Sequence, residues 1–223
     1  MAGLGILFLH YAVNQVVRTN LASVRRQNPR ATVVTMSAGA KLPHGYSLTA
    51  TPEITRFHSQ NPRRGSDWLV CSWFLQRRER CEKWWIIEWD TYCATSVRDY
   101  YQSVWDFPFV ASSVRLRCRE PEWAWFREAG NLPEQYRASA MGAVPFLYLL
   151  SDPALERICL TLLKQPFFAG NAELRFATVA NWCGLPPCGY SPPGDQITWK
   201  TWDRLAERKT IFHPVKHDVR RKR

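Results

Sequence analysis

Two carboxylates follow a short apolar segment near the middle of this 223-residue chain. Residues 84–87 read Trp-Trp-Ile-Ile, which predicts a buried strand, and Glu88-Trp89-Asp90 comes directly after them. Because alternate side chains of an extended segment point the same way, Glu88 and Asp90 would share one side. Two carboxylates so placed repel each other unless a cation lies between them, and hard oxygen ligands favour Mg²⁺ or Mn²⁺. The spacing alone is equally typical of an acidic turn after a strand.

Around this triplet, the apolar pattern predicts strands that alternate with helices. Residues 3–10 and 31–36 are apolar or β-branched runs typical of buried strands. Asn14 can cap the helix that lies between them. Residues 38–65 are rich in Gly, Pro, Ser and Thr, and this composition predicts a long loop.

The rest of the chain continues the alternation. Ser66-Asp67 predicts the cap of a largely buried helix. The apolar residues 144–150 precede a further helix start, and residues 172–182 predict a last helix. The whole pattern predicts a single α/β domain whose mostly parallel central sheet is flanked by helices.

The chain is basic, with a formal net charge of +11. Such a balance favours polyanionic partners such as nucleic acid, anionic lipid or phosphorylated ligands. No segment approaches the roughly 18–20 apolar residues that cross a bilayer, and the odd number of cysteines, 7, disfavours a secreted disulfide framework. We therefore expect a cytoplasmic protein with its domain in residues 1–216. Its basic tail, residues 217–223, could contact an anionic inner membrane surface.

Taken with residues 9–18 and with His213-Pro214-Val215-Lys216, the acidic triplet resembles the motifs of GT-A-type glycosyltransferases, the nucleotide-diphospho-sugar transferase superfamily. The resemblance implies a GT-A-like domain in which Asp90 contacts a metal ion directly. It also implies that His213 joins the metal, which suits Mn²⁺ better than Mg²⁺, and that Lys216 meets the diphosphate. The first acid of the triplet is Glu88 rather than the commoner Asp. Glu88 therefore either binds the metal or contacts the sugar or ribose.

The loop after the first strand is where such enzymes hold the nucleotide. The resemblance implies that Tyr11 stacks on the base and that Asn14 or Arg18 donates a hydrogen bond to it or to the ribose. The free N–H groups of the following helix would favour phosphate. The alternative for Asn14 is a plain helix cap.

Two acids are candidates for orienting or deprotonating the acceptor. Glu173 follows the turn Gly170-Asn171 and lies in a region where many GT-A enzymes place a general base. Asp152 is the second candidate. The alternative for Glu173 is an acid favoured by the helix dipole, or one linked only to Arg175.

The predicted reaction is metal-dependent transfer of a sugar from a nucleoside-diphosphate sugar, a UDP-sugar by default, to a hydroxyl. The acceptor would be a glycan, a lipid-linked molecule or a small molecule. One rival is a nucleotidyltransferase, although the chain lacks a Gly-rich first loop. The other is a non-enzymatic nucleic-acid binder, which the net charge favours. The basic residues are dispersed, so we expect no specific nucleic-acid partner.

Overall fold

The fold is described by a computed structural model that covers residues 2–39, 41–49, 51–60, 62–143, 147–165, 170–192, 196–197 and 210–216. The expected basic tail, residues 217–223, lies outside the described residues, and so do residues 144–146 of the predicted apolar segment.

Strands and helices alternate along much of the chain. The strands are β1 (Ala2–His10), β2 (Thr32–Ser37), β3 (Tyr46–Ser47), β4 (Cys81–Glu88), β5 (Tyr92–Cys93), β6 (Phe109–Ala111), β7 (Arg115–Leu116), β8 (Met141–Gly142), β9 (Leu147–Ser151), β10 (Cys188–Gly189), β11 (Gln196–Ile197) and β12 (Ile211–His213). The helices are α1 (Gln15–Gln27), α2 (Pro52–Gln60), α3 (Ser66–Gln76), α4 (Val97–Tyr100), α5 (Glu134–Arg137), α6 (Asp152–Lys164) and α7 (Ala172–Trp182). Short 3₁₀ segments cover Pro62–Gly65, Gln102–Val104 and Ala124–Asn131.

A 7-stranded sheet in the order β10-β6-β9-β4-β1-β2-β3 organises the molecule. Its paired strands run parallel except for β9, which is antiparallel to both β4 and β6. The prediction of an α/β fold with a mostly parallel central sheet flanked by helices is confirmed. A small sheet, β11-β12-β5, lies beside it and joins the end of the chain to the segment after β4.

Both faces of the central sheet are covered by apolar side chains. Along β1, Ile6 and Phe8 belong to one buried cluster and Leu7 and Leu9 to the other, as the alternation of a strand requires. The first cluster packs against α1 and α4, and the second against α3, α6 and α7. Gly5 permits this packing, because a Cβ there would lie 2.5 Å from the Trp84 ring. The sheet is therefore a rigid support for residues at its edge.

The predicted loop over residues 38–65 was wrong, because this segment contains β3 and α2. Thr51 Oγ1 accepts a hydrogen bond from the Ile54 N–H at the start of α2. Ile54 and His58, one turn apart, are buried beneath that helix. A composition rich in turn-forming residues thus concealed a short helix with one buried face.

The predicted cap at Ser66-Asp67 was also wrong. Gly65 occupies the cap position of α3 and provides no side-chain hydrogen bond. Both polar residues lie inside the first turn and are fully buried. The Ser66 side chain donates to Glu88, and the Asp67 carboxylate pairs with Arg175. The apolar segment before α6 forms β9, whose antiparallel direction the sequence did not indicate.

Across the part of the chain that the structure describes, no helix combines the length and the apolar character that a membrane span requires. All 7 cysteines are free thiols.

Candidate metal centre

The acidic triplet lies at the edge of the sheet where the parallel strands β1, β2 and β4 end. Leu9 pairs with Glu88, and His10 pairs with Ser37, so the three strand ends are level. In open α/β sheets, ligands bind in the crevice outside these carboxyl ends.

The C-terminal segment is brought to the same edge by the small sheet. Strand β12 pairs antiparallel with β5, just after the triplet, and the Val215 N–H donates to the Asp90 carbonyl at 2.7 Å. Asn20 of α1 donates through Nδ2 to the carbonyls of Trp89 and Val215, each at 3.0 Å. These contacts place His213 and Lys216 beside Asp90.

Glu88, Asp90 and His213 form a compact cluster. One potential ligand atom from each lies within 4.8 Å of the others. His213 Nε2 is 3.2 Å from Asp90 Oδ1, and Lys216 Nζ is 3.9 Å from Asp90 Oδ2. Asp90 Oδ1 and both ring nitrogens of His213 are buried, and none has an aligned hydrogen-bond partner within the described chain.

Opposite charges shift the ionisation of two members of the cluster. Burial opposes the charged form of Asp90, but the charges of His213 and Lys216 outweigh it and lower the pKa of Asp90. Burial likewise opposes the charged form of His213, yet the charges of Asp90 and Glu88 raise the pKa of His213. In the metal-free protein, Asp90 and His213 therefore stabilise each other's charged forms.

Glu88 experiences the reverse balance. Burial first, and then repulsion by Asp90, raise the pKa of Glu88 to about 7. The hydroxyls of Ser66 and Tyr11 both contact its Oε1 atom, at 3.0 and 3.3 Å. These contacts offset part of the cost of removing the half-buried carboxylate from water.

This donor set fits a divalent cation. Two carboxylates and an imidazole are ligands that Mn²⁺ accepts, and the imidazole favours it over Mg²⁺. A cation would coordinate the atoms of Asp90 and His213 that lack an aligned hydrogen bond, and it would relieve the repulsion between Asp90 and Glu88. A buried polar atom without a partner costs about 1–3 kcal/mol, so these atoms favour occupation by a ligand.

Glu173 lies close enough to Glu88 for their charges to interact. It is 6% exposed, and burial followed by the charge of Glu88 raises the pKa of Glu173 to about 8, although a hydrogen bond from Trp125 opposes this rise. Its Oε2 atom is buried without a hydrogen-bond partner in the described residues. Asn171 caps α7 by accepting from the Glu173 N–H at 2.8 Å, which fixes the start of this helix at the site.

Among the described residues, Arg175 forms its ion pair with Asp67 and not with Glu173, which argues against a local salt link at Glu173. It makes a fully buried bidentate ion pair with Asp67, at 2.5 and 2.6 Å, and donates to the carbonyls of Gly170 and Arg64. This pair joins the first turn of α3 to the first turn of α7 and so supports both Ser66 and Glu173.

The three residues predicted to bind the nucleotide lie in different environments, and only Tyr11 contacts the acidic cluster. Tyr11 directs its hydroxyl to Ser66 and Glu88. Asn14 Oδ1 accepts from the Val17 N–H at 3.0 Å, so Asn14 is a helix cap. Arg18 is exposed on α1.

The structure does not bring Asp152 to the site. Ser151 pairs with Lys83 at the start of β4, so Asp152 lies at the opposite edge of the sheet from Glu88. Its carboxylate binds Arg77 at 2.6 Å and accepts from Trp84 Nε1 at 2.8 Å. Because β9 is antiparallel, the strand carries the start of α6 away from the metal cluster. We assign Asp152 to this ion pair rather than to the reaction.

Three site residues were not predicted. Ser66 was interpreted as a helix cap, Asn20 is one polar residue on an otherwise ordinary helix, and Trp125 lies in a short 3₁₀ segment. The signal available for Ser66 and Asn20 was a polar residue in a segment whose neighbours are buried. That signal does not identify the partner, which is distant in sequence.

No protein-family model matches the sequence, and no curated protein is significantly similar to it. Similar solved structures include the galactosyltransferase LgtC in complex with donor and acceptor sugar analogues, with a TM-score of 0.45 and 11% identity over 82% of this chain and 72% of that one. An active-site mutant of LgtC gives a TM-score of 0.44 and 11% identity over 83% and 72%. TM-scores below 0.5 establish neither the family nor the function of this chain, so its function must follow from its own site.

Proposed function

We propose that this protein is a metal-dependent glycosyltransferase that moves a sugar from a nucleoside-diphosphate sugar to a hydroxyl acceptor. The observation that carries the proposal is the cluster of Glu88, Asp90 and His213 at the carboxyl edge of a mostly parallel sheet. Its ligand atoms are close together, partly unpartnered and chemically suited to Mn²⁺.

The donor would bind through its diphosphate. A divalent cation, when bound, neutralises charge on the diphosphate of the departing nucleotide. Lys216, whose ammonium lies beside Asp90 and is 37% exposed, supplies a second positive charge that a phosphate can reach. The basic net charge of the whole chain draws such an anionic donor toward the protein. UDP is the default nucleotide, and Mn²⁺ or Mg²⁺ is the expected ion.

Glu173 is the residue we assign to the acceptor hydroxyl. It is a buried carboxylate near Glu88, with one oxygen unpartnered in the described residues and a pKa raised to about 8. In its ionised form, which prevails above about pH 8 in the metal-free protein, this carboxylate is a stronger base than an ordinary Glu and can take the hydroxyl proton as the oxygen attacks the anomeric carbon. The acceptor would be a glycan, a lipid-linked molecule or a small molecule with a free hydroxyl.

Donor hydrolysis and transfer test this proposal. UDP-sugars should be turned over with Mn²⁺ and spared when the metal is removed with a chelator. Asp90→Asn should reduce this turnover by about 100-fold or more, because it removes an anionic ligand from the metal. Asp99→Asn, at an exposed position on α4, is the matched control and should keep full activity. Full activity of Asp90→Asn would refute the metal role.

The products of turnover separate this function from its rivals. A glycosyltransferase releases a nucleoside diphosphate, whereas a nucleotidyltransferase releases pyrophosphate from a nucleoside triphosphate. A nucleic-acid binder would show oligonucleotide binding with a steep salt dependence and no response to UDP-sugar with Mn²⁺.

A further inference from the structure

Two hydroxyl groups from distant parts of the chain meet at one oxygen of Glu88. Ser66 Oγ, in the first turn of α3, lies 3.0 Å from Glu88 Oε1. Tyr11 Oη, just after β1, lies 2.5 Å from Ser66 Oγ and 3.3 Å from the same carboxylate oxygen. Ser66 is fully buried, so bulk water does not compete for these contacts.

The number of hydroxyl protons on Ser66 and Tyr11 indicates which group donates in each contact. When Glu88 is ionised, three oxygen–oxygen contacts share only two hydroxyl protons, and the carboxylate can only accept. The shortest consistent arrangement has Tyr11 donating to Ser66 and Ser66 donating to Glu88. Tyr11 also lies 3.3 Å from Glu88 Oε1, so its single proton is shared unequally between the nearer Ser66 oxygen and the more distant carboxylate. Ser66 therefore holds Glu88 directly, and Tyr11 holds Ser66.

We propose that Ser66 and Tyr11 are positioning residues of the metal centre, which fix Glu88 so that its Oε2 oxygen is the one offered to the cation. This inference rests on the proposed function, because it assumes that Glu88 is a metal ligand. It gives Tyr11 a different role from stacking on a base. It also explains why α3 begins with a polar residue that does not cap it.

The support for these hydroxyls comes from elements that are themselves held rigidly. Asp67, next to Ser66, is held by the buried ion pair with Arg175. The Tyr11 ring lies beside His58 of α2, with ring centroids 6.2 Å apart. A ligand whose partners are ordered loses less conformational entropy when the metal binds. Deleting either hydroxyl should therefore weaken metal binding without removing a ligand atom.

The test measures the affinity of the full chain for Mn²⁺ alone, from the loss of the paramagnetic resonance signal of free Mn²⁺. Ser66→Ala should lower this affinity by about 10–100-fold, the usual effect of removing a group that orients a metal ligand. Tyr11→Phe should lower it less, because Tyr11 acts through Ser66. Circular dichroism confirms that each variant is folded.

Matched controls remove the same chemical groups elsewhere. Ser72→Ala deletes a buried hydroxyl on the same helix, which donates to the Thr49 carbonyl at 2.9 Å. Tyr46→Phe deletes a tyrosine hydroxyl that donates to a different acid, Glu79, at 2.9 Å. Both should lower thermal stability and leave Mn²⁺ affinity unchanged.

Each outcome decides between the two proposals. Wild-type affinity in Ser66→Ala, or an equal loss in Ser72→Ala, would overturn the positioning role while the metal centre stands. Absence of Mn²⁺ binding by the wild-type chain would overturn the metal centre, and the positioning role with it.

Discussion

Individual acids in this site are governed by what surrounds them rather than by their type. Glu88 and Glu173 have pKa values raised to about 7 and about 8, whereas the pKa of Asp90 is lowered by His213 and Lys216. The sequence predicted Glu88 and Asp90 as a pair because they are two residues apart after a strand. The spacing alone could not show which acid has a cationic neighbour, since His213 lies more than 120 residues later.

Glu173 makes the stability of the metal-free protein depend on pH. Its pKa rises from 4.5 to about 8 on folding, so the folded protein binds a proton that the unfolded chain has lost between these values. Stability from this group is therefore present at low pH and is lost as pH rises through about 8. Glu173→Gln should be more stable than the wild type, by up to a few kcal/mol, in denaturation at about pH 8, and close to it at about pH 4.

The comparison needs a control variant, and the titration of Glu88 must be taken into account. Glu156→Gln, at an exposed position on α6, is the control and should show no pH-dependent difference. Glu88 titrates over a neighbouring range, so some pH dependence will persist in Glu173→Gln. An equal difference between wild type and Glu173→Gln at both pH values would contradict the assignment.

At the scale of elements, the site depends on segments that are distant in sequence. Helix α1 holds the acidic triplet and the C-terminal strand together through Asn20, which is 1% exposed. The sequence predicted α1 and β4 from their apolar pattern. It did not predict α2 within residues 38–65, because Gly, Pro, Ser and Thr obscured a helix with only two buried residues. The sequence also did not predict the pairing between β5 and β12, since short strands have little periodicity.

Removal of the Asn20 amide should loosen the junction between these elements. Asn20→Ala leaves the carbonyls of Trp89 and Val215 without their buried donor and should cost about 2–4 kcal/mol in unfolding free energy. It should also weaken Mn²⁺ binding, because His213 would no longer be held against Asp90.

Asn28→Ala is the control for this variant. Asn28 is also buried on this side of the molecule, and it links the C-terminus of α1 to the Val97 N–H at 2.8 Å, away from the cluster. It should lose comparable stability and keep its affinity for Mn²⁺. A similar loss of affinity in both variants would show that the effect is one of general stability.

At the scale of the whole molecule, the fold class could be predicted from the sequence, but the direction of every strand could not. Apolar runs such as residues 84–87 identified the strands, and their alternation with helices identified an α/β sheet. Chain direction was not encoded in those runs, so the sequence did not show that β9 is antiparallel and that it carries Asp152 to the opposite end of the strands from Glu88. The net charge of +11 indicated an anionic ligand without indicating which one. The family resemblance, rather than any pattern in the chain, implied that Asp90, His213 and Lys216 belong to one site, and in the folded structure these residues lie together.

The central claim is that Glu88, Asp90 and His213 bind one divalent cation that receives a nucleoside diphosphate. Anomalous diffraction from crystals of this chain soaked in Mn²⁺ and UDP tests it most directly. We predict a manganese peak in contact with Asp90 and His213, with the UDP diphosphate next to it and Lys216. A peak at another place, or intact contact between Asp90 and His213 with no peak at this edge of the sheet, would contradict the account.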